Sequence, residues 1–232
     1  MQVHNFYGVD LAWSAKHRSG FCHLVYRNNK LKIQKLCLLQ SMQEILQHIQ
    51  QGWVGVDASL LVNNEHGYRD SEWELSQHFR SYGCPAYPTN KKILEPIGFR
   101  GQELSFALQQ KGYSVLPTLS AKTVIEVYTH SALVGMFNLA SKLSYKYKPK
   151  RSRQQRNEAF DILCALLQTY VYHPILSTDF TTLQAKQLKE VEDMLDSIVC
   201  ALAVYYYYKK PSSCQLFGKK NGIIMSPMPH IS

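Results

Sequence analysis

Two short apolar segments that each end in an aspartate constrain the fold of this 232-residue chain more than any other feature. Residues 8–12 read Gly-Val-Asp-Leu-Ala, and residues 55–59 read Gly-Val-Asp-Ala-Ser. Each aspartate stands where an apolar strand gives way to a turn. A carboxylate that is buried and ionised is costly unless it is paired with a cation or binds a metal. We therefore take Asp10 and Asp57 as candidate site residues, with turn capping as the alternative.

The spacing of apolar residues predicts a mixed α/β chain. Strands are expected over residues 3–10, 21–26, 31–38, 53–56 and 124–128. The Asn28-Asn29 pair marks a hairpin turn between the second and third strands. Helical periodicity follows over residues 41–49, 70–82, 102–111, 153–170 and 186–207, the first of these opened by a capping box. This order favours one sheet that holds both antiparallel and parallel pairs.

Three further acidic residues lie on elements that should be largely apolar. Glu126 stands inside the fifth predicted strand, where the alternative to a site role is a partner such as Arg69 or Arg156. Asp193 and Asp196 are one turn apart on the last helix, so they share a face. The alternative for this pair is a solvated acidic face, but the helix is apolar on every side after Asp196.

These acidic residues predict a site for a hard divalent cation rather than for zinc. A right-handed crossover between the strands of Asp10 and Asp57 would make those strands parallel and bring both carboxylates to one edge of the sheet. Clustered carboxylates without a histidine or cysteine ligand pattern suit Mg²⁺ or Mn²⁺. Two such ions about 3.5–4 Å apart activate a water and stabilise the leaving oxygen in phosphodiester hydrolysis.

The positive charge of the chain is concentrated in one segment. The formal net charge is +9, from 26 Lys+Arg against 17 Asp+Glu, and residues 142–156 hold seven basic residues and no acid. Tyr145 and Tyr147 alternate with lysines there, so stacking surfaces alternate with charges that attract phosphate. The alternative is a solvated connector. The candidate nucleic-acid contacts in this segment are Lys146, Lys148, Lys150, Arg151, Arg153 and Arg156.

The cysteines and the apolar runs bear on location. Six widely spaced cysteines with no Cys-x-x-Cys pair favour free thiols in a reducing cytoplasm. No apolar run approaches the ~20 residues that a membrane span needs, and no secretory signal is visible at the start. A cytoplasmic protein with no membrane partner is expected. The oligomeric state is open, with a homodimer as one option.

Four motifs, in this order, resemble a known family. They are Gly-Val-Asp-Leu-Ala at residues 8–12, Gly-Val-Asp-Ala-Ser-Leu at residues 55–60, Ile-Glu-Val-Tyr at residues 125–128 and Asp-Met-Leu-Asp-Ser-Ile-Val-Cys-Ala-Leu-Ala at residues 193–203. Over residues 5–208 the chain resembles the bacterial family of uncharacterised, predicted RNase-H-like nucleases. Its final helix is also similar to the Asp-x-x-Asp-Ala pattern of RuvC-type Holliday-junction resolvases. Thr129 and His130 stand where the family pattern has proline and often glutamate.

The resemblance implies a ribonuclease-H-like fold with a five-strand mixed sheet ordered 3-2-1-4-5. Residues 1–210 would form this domain with helical insertions, and residues 211–232 a tail or an extra strand. It also implies that Arg69 and Glu72 position a phosphate or another ligand. The implied ligands of Mg²⁺ or Mn²⁺ are Asp10, Asp57, Glu126, Asp193 and Asp196.

The expected function is metal-dependent hydrolysis of phosphodiester bonds in DNA or RNA. One alternative is a nucleic-acid-binding protein that keeps the fold without catalysis. A second is a nucleotide-binding protein related to phosphotransferases, because residues 8–12 faintly resemble a phosphate loop. Proteins of that second class duplicate the fold and need a longer chain.

Overall fold

The alternating residues near the start of the chain form an antiparallel meander. A computed structural model describes residues 3–148, 151–172, 175, 179–219 and 222–230. Strand β1 (His4–Asp10) pairs with β2 (Ser19–Arg27), which pairs with β3 (Lys30–Leu39). Both residues of the predicted Asn28-Asn29 turn have positive φ angles, 54° and 57°. Such a turn matches the right-handed twist of a hairpin, and asparagine tolerates it.

Parallel strands continue the sheet from β1. Helix α1 (Met42–His48) leads into β4 (Trp53–Asp57), which runs parallel to β1 with Asp10 opposite Asp57. Strand β5 (Thr123–Val127) then pairs in parallel with β4. These five strands follow the predicted order β3-β2-β1-β4-β5 within one mixed sheet.

The sheet has seven strands, so the prediction of five was wrong. Strand β6 (Cys214–Phe217) and strand β7 (Ile224–Pro227) extend the sheet beyond β5, in the order β5-β7-β6. Each is four residues long, and β7 is buried at every position, so neither shows the alternation of a half-buried strand. The segment expected to be a tail or one extra strand thus adds an antiparallel pair.

The remaining helices flank this sheet. They are α2 (Asp70–Phe79), α3 (Lys91–Leu94), α4 (Arg100–Gln110), α5 (Thr129–Phe137), α6 (Arg153–Gln168) and α7 (Ala185–Lys209), with a 3-10 turn at Pro211–Ser213. The sequence did not predict α3 or α5. Seven of the nine residues of α5 are buried, so it has no polar face from which a helical period could be read.

Helix α7 lies directly on the centre of the sheet. A Cβ atom on Gly8 of β1 would overlap the carbonyl oxygen of Ser197, and one on Gly20 of β2 would overlap that of Asp193. Glycine at these positions lets the helix backbone approach the strands closely. This contact brings the first turns of the buried half of α7 to the carboxyl ends of β1 and β4.

Two properties of the whole chain complete the description. All six cysteines are free thiols. Within the described parts of the chain, no helix combines the length and the apolar character needed to cross a bilayer.

Candidate functional site

Three carboxylates meet where β1, β4 and α7 come together. Asp10 ends β1, Asp57 ends β4, and Asp196 lies on the face of α7 that covers the sheet. Oxygens from the three side chains lie within 4.8 Å of one another. Asp196 is completely buried, whereas Asp10 and Asp57 are partly exposed. We call Asp10, Asp57 and Asp196 the acidic centre.

Burial and mutual repulsion perturb the acidic centre. The pKa of Asp10 lies well above its ordinary value, because the carboxyl group is desolvated and stands beside Asp196 and Asp57. Desolvation also raises the pKa of Asp57, to about 6, although the neighbouring Lys146 opposes that rise. Holding several anions together in a poorly solvated place is unfavourable, and a bound cation relieves it.

Lys146 inserts its ammonium group into the acidic centre. Its Nζ atom lies 2.8 Å from Oδ2 of Asp196 and 3.9 Å from Oδ2 of Asp57, and it donates a hydrogen bond to Thr129. The basic segment of the sequence predicted that this lysine contacts phosphate. The structure instead pairs it with carboxylates, because the segment around it packs inward through Tyr145.

Two hydroxyl groups hold oxygens of the acidic centre. Tyr145 is completely buried and donates a 2.6 Å hydrogen bond to Oδ1 of Asp196. Thr129, the first residue of α5, donates a 3.1 Å hydrogen bond to Oδ2 of Asp57. The sequence indicated neither role. The alternation of Tyr145 with lysines predicted a stacking surface, which the burial of its ring rules out. For Thr129 the only signal was a hydroxyl group directly after a central strand.

Asp193 lies at the margin of the acidic centre. Desolvation raises the pKa of its carboxyl group. Lys189, four residues earlier on α7, pairs with it at 2.7 Å and pairs with Glu192 at the same distance. Asp193 is therefore not one of the three clustered carboxylates, and it is already paired with a lysine.

Glu126 forms an ion pair with Arg69 and is not one of the three clustered carboxylates. Its carboxylate accepts hydrogen bonds from both terminal nitrogens of Arg69 and from the backbone NH of Leu60. Glu72 binds the same guanidinium through Nε, at 2.8 Å. This arrangement agrees with the alternative interpretation of the sequence, in which Glu126 pairs with Arg69. Arginine and backbone donors occupy the oxygens of Glu126, so the structure does not support it as a metal ligand.

Arg69 and Glu72 do not reach a ligand. Both are at most 2% exposed, and Arg69 also donates to the carbonyl oxygen of Leu61. They join the start of α2 to β5 and to the segment after β4. The predicted role in positioning phosphate is therefore corrected to a structural one.

The rest of the basic segment divides into buried and accessible residues. Arg156 is 7% exposed, pairs with Glu192 and donates to the carbonyl oxygen of Tyr145, so it holds the segment in place rather than facing a ligand. Arg153 and Arg151 donate to backbone carbonyls, and the guanidinium charge of each is not cancelled by those bonds. Lys150 lies outside the described residues.

A cavity of about 180 Å³ opens beside this segment. Its wall contains no acidic side chain, and it lies at the start of α6, where Ser152 caps the helix. The residues that line it are Tyr147, Lys148, Arg151, Ser152, Arg153, Arg156, Ala185 and Leu188. The predicted basic surface is thus narrower than expected and is carried mainly by Lys148, Arg151 and Arg153.

Comparison with known proteins gives a family for this chain. A family model described as protein of unknown function (DUF429) matches residues 8–220. The chain belongs to this family. The matched DUF429 region contains every residue of the acidic centre as well as Lys146. No curated protein and no solved structure matches the chain.

The acidic centre of this DUF429 member has the properties of a cation site. Its donors are carboxylate oxygens from three elements that the sheet and α7 hold in place. Oδ2 of Asp196 is buried and, among the described residues, has the ion pair with Lys146 but no hydrogen bond. Asp10, Asp57 and Asp196 can therefore hold a metal ion.

Proposed function

We propose that this protein is a Mg²⁺- or Mn²⁺-dependent nuclease that hydrolyses phosphodiester bonds in DNA or RNA. One observation carries the proposal: Asp10, Asp57 and Asp196 converge within 4.8 Å at the carboxyl ends of two parallel strands. A donor set made only of oxygen suits hard divalent ions. Burial, together with the neighbouring carboxylates, raises the pKa values of Asp10 and Asp57, and a bound cation would favour their ionised forms.

The sheet supports a ribonuclease-H-like fold for this nuclease. Its first five strands follow the order β3-β2-β1-β4-β5, with an antiparallel meander beside parallel strands. Under this proposal β6 and β7 are an addition at the edge next to β5. The acidic centre lies on the first and fourth strands, where the resemblance places the aspartates.

The residues of the chain would divide the catalytic work. A divalent ion bound by Asp10, Asp57 and Asp196 would supply Lewis-acid activation of water and stabilisation of the leaving oxygen. Tyr145 and Thr129 orient the carboxylates through their hydrogen bonds. The ammonium group of Lys146 adds positive charge where an anionic phosphate would otherwise be repelled by the aspartates.

The surface beside the centre suits a nucleic-acid strand. Tyr147 and Tyr87 are 72% and 67% exposed, and Lys148 lies over the ring of Tyr87. Exposed aromatic rings stack on bases, and arginine and lysine attract the backbone. The cavity lined by Arg151 and Arg153 continues this surface away from the centre.

A cleavage assay tests the proposal. Labelled single- and double-stranded DNA and RNA are incubated with the protein in Mg²⁺, in Mn²⁺ and in EDTA. We expect cleavage that requires the metal and that is abolished by Asp10→Asn and Asp196→Asn. Asp161→Asn, which changes an exposed aspartate on α6, is the matched control and should cleave as the wild type does. Cleavage that persists in Asp10→Asn would exclude the acidic centre as the active site.

A non-catalytic nucleic-acid-binding protein is the second candidate. The observation that favours it is Lys146, which already supplies a cation to the acidic centre. This candidate predicts binding that weakens with salt in proportion to the number of phosphate contacts, without cleavage. Replacing Lys148 and Arg151 together by alanine would then weaken binding, whereas Asp10→Asn would leave it unchanged.

A further inference from the structure

Lys146 occupies space that a second metal ion would need. On the basis of the proposed function, we infer that the acidic centre binds one divalent ion, and that the ammonium group of Lys146 takes the place of the other ion of a two-metal site. The carboxylates alone predict two bound ions, whereas the position of Lys146 indicates one. The basic segment around Lys146 did not indicate this role.

The position of the ammonium group is the first argument. Its Nζ atom lies 2.8 Å from Oδ2 of Asp196 and 3.9 Å from Oδ2 of Asp57. Mg²⁺ lies about 2.0–2.1 Å from a carboxylate oxygen. An ion that bridged these two oxygens on the side where Nζ lies would therefore overlap the ammonium group. For Asp10 no ion pair with a lysine or arginine is found in the described part of the chain, so this carboxylate is free to bind the single ion.

The charge balance is the second argument. When the three aspartates are ionised and Lys146 is protonated, the acidic centre carries a net charge of −2. One divalent ion neutralises it, whereas two would leave a surplus of positive charge. Asp193 and Glu192 do not alter this balance, because Lys189 and Arg156 pair with them.

The anchoring of the lysine is the third argument. Tyr145, the preceding residue, is completely buried and bonded to Asp196, and Arg156 donates to the carbonyl oxygen of Tyr145. Arg151 donates to the carbonyl oxygen of Lys146 itself. These bonds fix the backbone at Lys146, and the ion pairs with Asp196 and Asp57 hold its ammonium group in the acidic centre. A second ion would have to displace that ammonium group.

Counting bound Mn²⁺ tests the inference on the full chain. Isothermal titration calorimetry measures the stoichiometry, and electron paramagnetic resonance distinguishes an isolated Mn²⁺ from a spin-coupled pair. We expect one isolated ion in the wild type. Lys146→Met keeps the length of the side chain but removes its charge, and it should bind two ions with a spin-coupled spectrum. Lys148→Met is the matched control, and it should bind one ion as the wild type does.

The possible results separate this inference from the proposed function. Two coupled ions in the wild type would overturn the role of Lys146 and leave a metal-dependent nuclease intact. One ion in both the wild type and Lys146→Met would do the same. No binding in the wild type would overturn both proposals. Because two coupled ions in the wild type would overturn the inference without any variant, it can still be contradicted if Lys146→Met does not fold.

Discussion

Two groups of charged side chains lie near the same edge of the sheet and differ in how their charges are balanced. Around Arg69, every guanidinium nitrogen bonds to Glu72, Glu126 or the carbonyl oxygen of Leu61. The two glutamates there also accept hydrogen bonds from backbone NH groups. In the acidic centre, three aspartates share one lysine, and Oδ2 of Asp196 has no hydrogen bond among the described residues.

The difference separates a structural ion pair from a binding site. The Arg69 group is closed to solvent, with all three side chains at most 6% exposed, and its donors and acceptors are matched. In the acidic centre, Asp57 and Lys146 are 21% and 26% exposed, and Oδ2 of Asp196 has no hydrogen bond among the described residues. Acidic side chains outnumber basic ones in both groups, but only solvent access and a carboxylate oxygen without a hydrogen bond mark a place for a cation.

The largest expected effect comes from removing Arg69, which pairs with two buried glutamates. Arg69→Met removes the cation and leaves two buried glutamates without their partner. Losing one member of such a buried pair costs about 3–5 kcal/mol. We expect urea denaturation to show a loss of this size in the free energy of unfolding. Arg80→Met, which changes an exposed arginine just after α2, is the control. A loss below about 1 kcal/mol would show that these ion pairs do not stabilise the fold.

A metal ion bound in the acidic centre should stabilise the protein. A ligand present at about 100 times its dissociation constant adds about 2.7 kcal/mol to the free energy of unfolding. Saturating Mn²⁺ should therefore raise the melting temperature of the wild type but not that of Asp10→Asn. Thermal denaturation with and without EDTA measures the shift. An equal shift in both proteins would place the ion elsewhere.

The acidic centre should also make stability depend on pH. Because the folded pKa of Asp57 is raised to about 6, the folded state keeps a proton that the unfolded state releases near pH 4. Stability therefore falls as the pH rises from about 4 to about 6, and the raised pKa of Asp10 acts in the same direction.

Comparison with Asp57→Asn isolates this pH effect. At about 1.4 kcal/mol per pKa unit, the metal-free wild type should lose about 1–3 kcal/mol more than Asp57→Asn between pH 4 and pH 7. Urea denaturation across that range measures the difference. Saturating Mn²⁺ should abolish it, because a bound ion favours the ionised carboxylates. Identical pH profiles without metal would mean that the pKa of Asp57 is not raised.

The smallest effect concerns one hydroxyl group beside the acidic centre. Thr129→Val keeps the shape of the side chain but deletes the donor to Asp57 and the acceptor of a longer hydrogen bond from Lys146. Lys146 keeps its ion pair with Asp196, so the free energy of unfolding should fall by about 0.5–1.5 kcal/mol, the contribution of one hydrogen bond. Thr182→Val, at an exposed threonine, is the control. A loss as large as that of Arg69→Met would remove the distinction between the two groups.

The aspartates could be predicted from the sequence because each interrupts a regular pattern. Asp10 and Asp57 end apolar strands, and Asp196 begins the fully apolar half of the last helix. Local periodicity also indicated where the first five strands lie along the chain, whereas their order in the sheet was implied by the family resemblance. For the aspartates and the strands, a short stretch of chain carries the information.

The partners of the aspartates could not be predicted in the same way. Lys146 and Tyr145 enter the acidic centre from a loop whose path depends on burial of the tyrosine ring and on Arg156. No local period encodes such a path. Glu126 was the opposite case, since its strand position indicated burial correctly while its partner, 57 residues away, decided its role.

The contact between α7 and the glycines of the sheet has a consequence for the dimensions of the acidic centre. Asp10 and Asp57 belong to the sheet and Asp196 to the helix, so the gap between these two layers sets the spacing of the carboxylates. A single methyl group at Gly8 would push α7 away from β1, because its carbon would overlap the carbonyl oxygen of Ser197. It would move Asp196 away from Asp10 and Asp57 without changing any of the three aspartates.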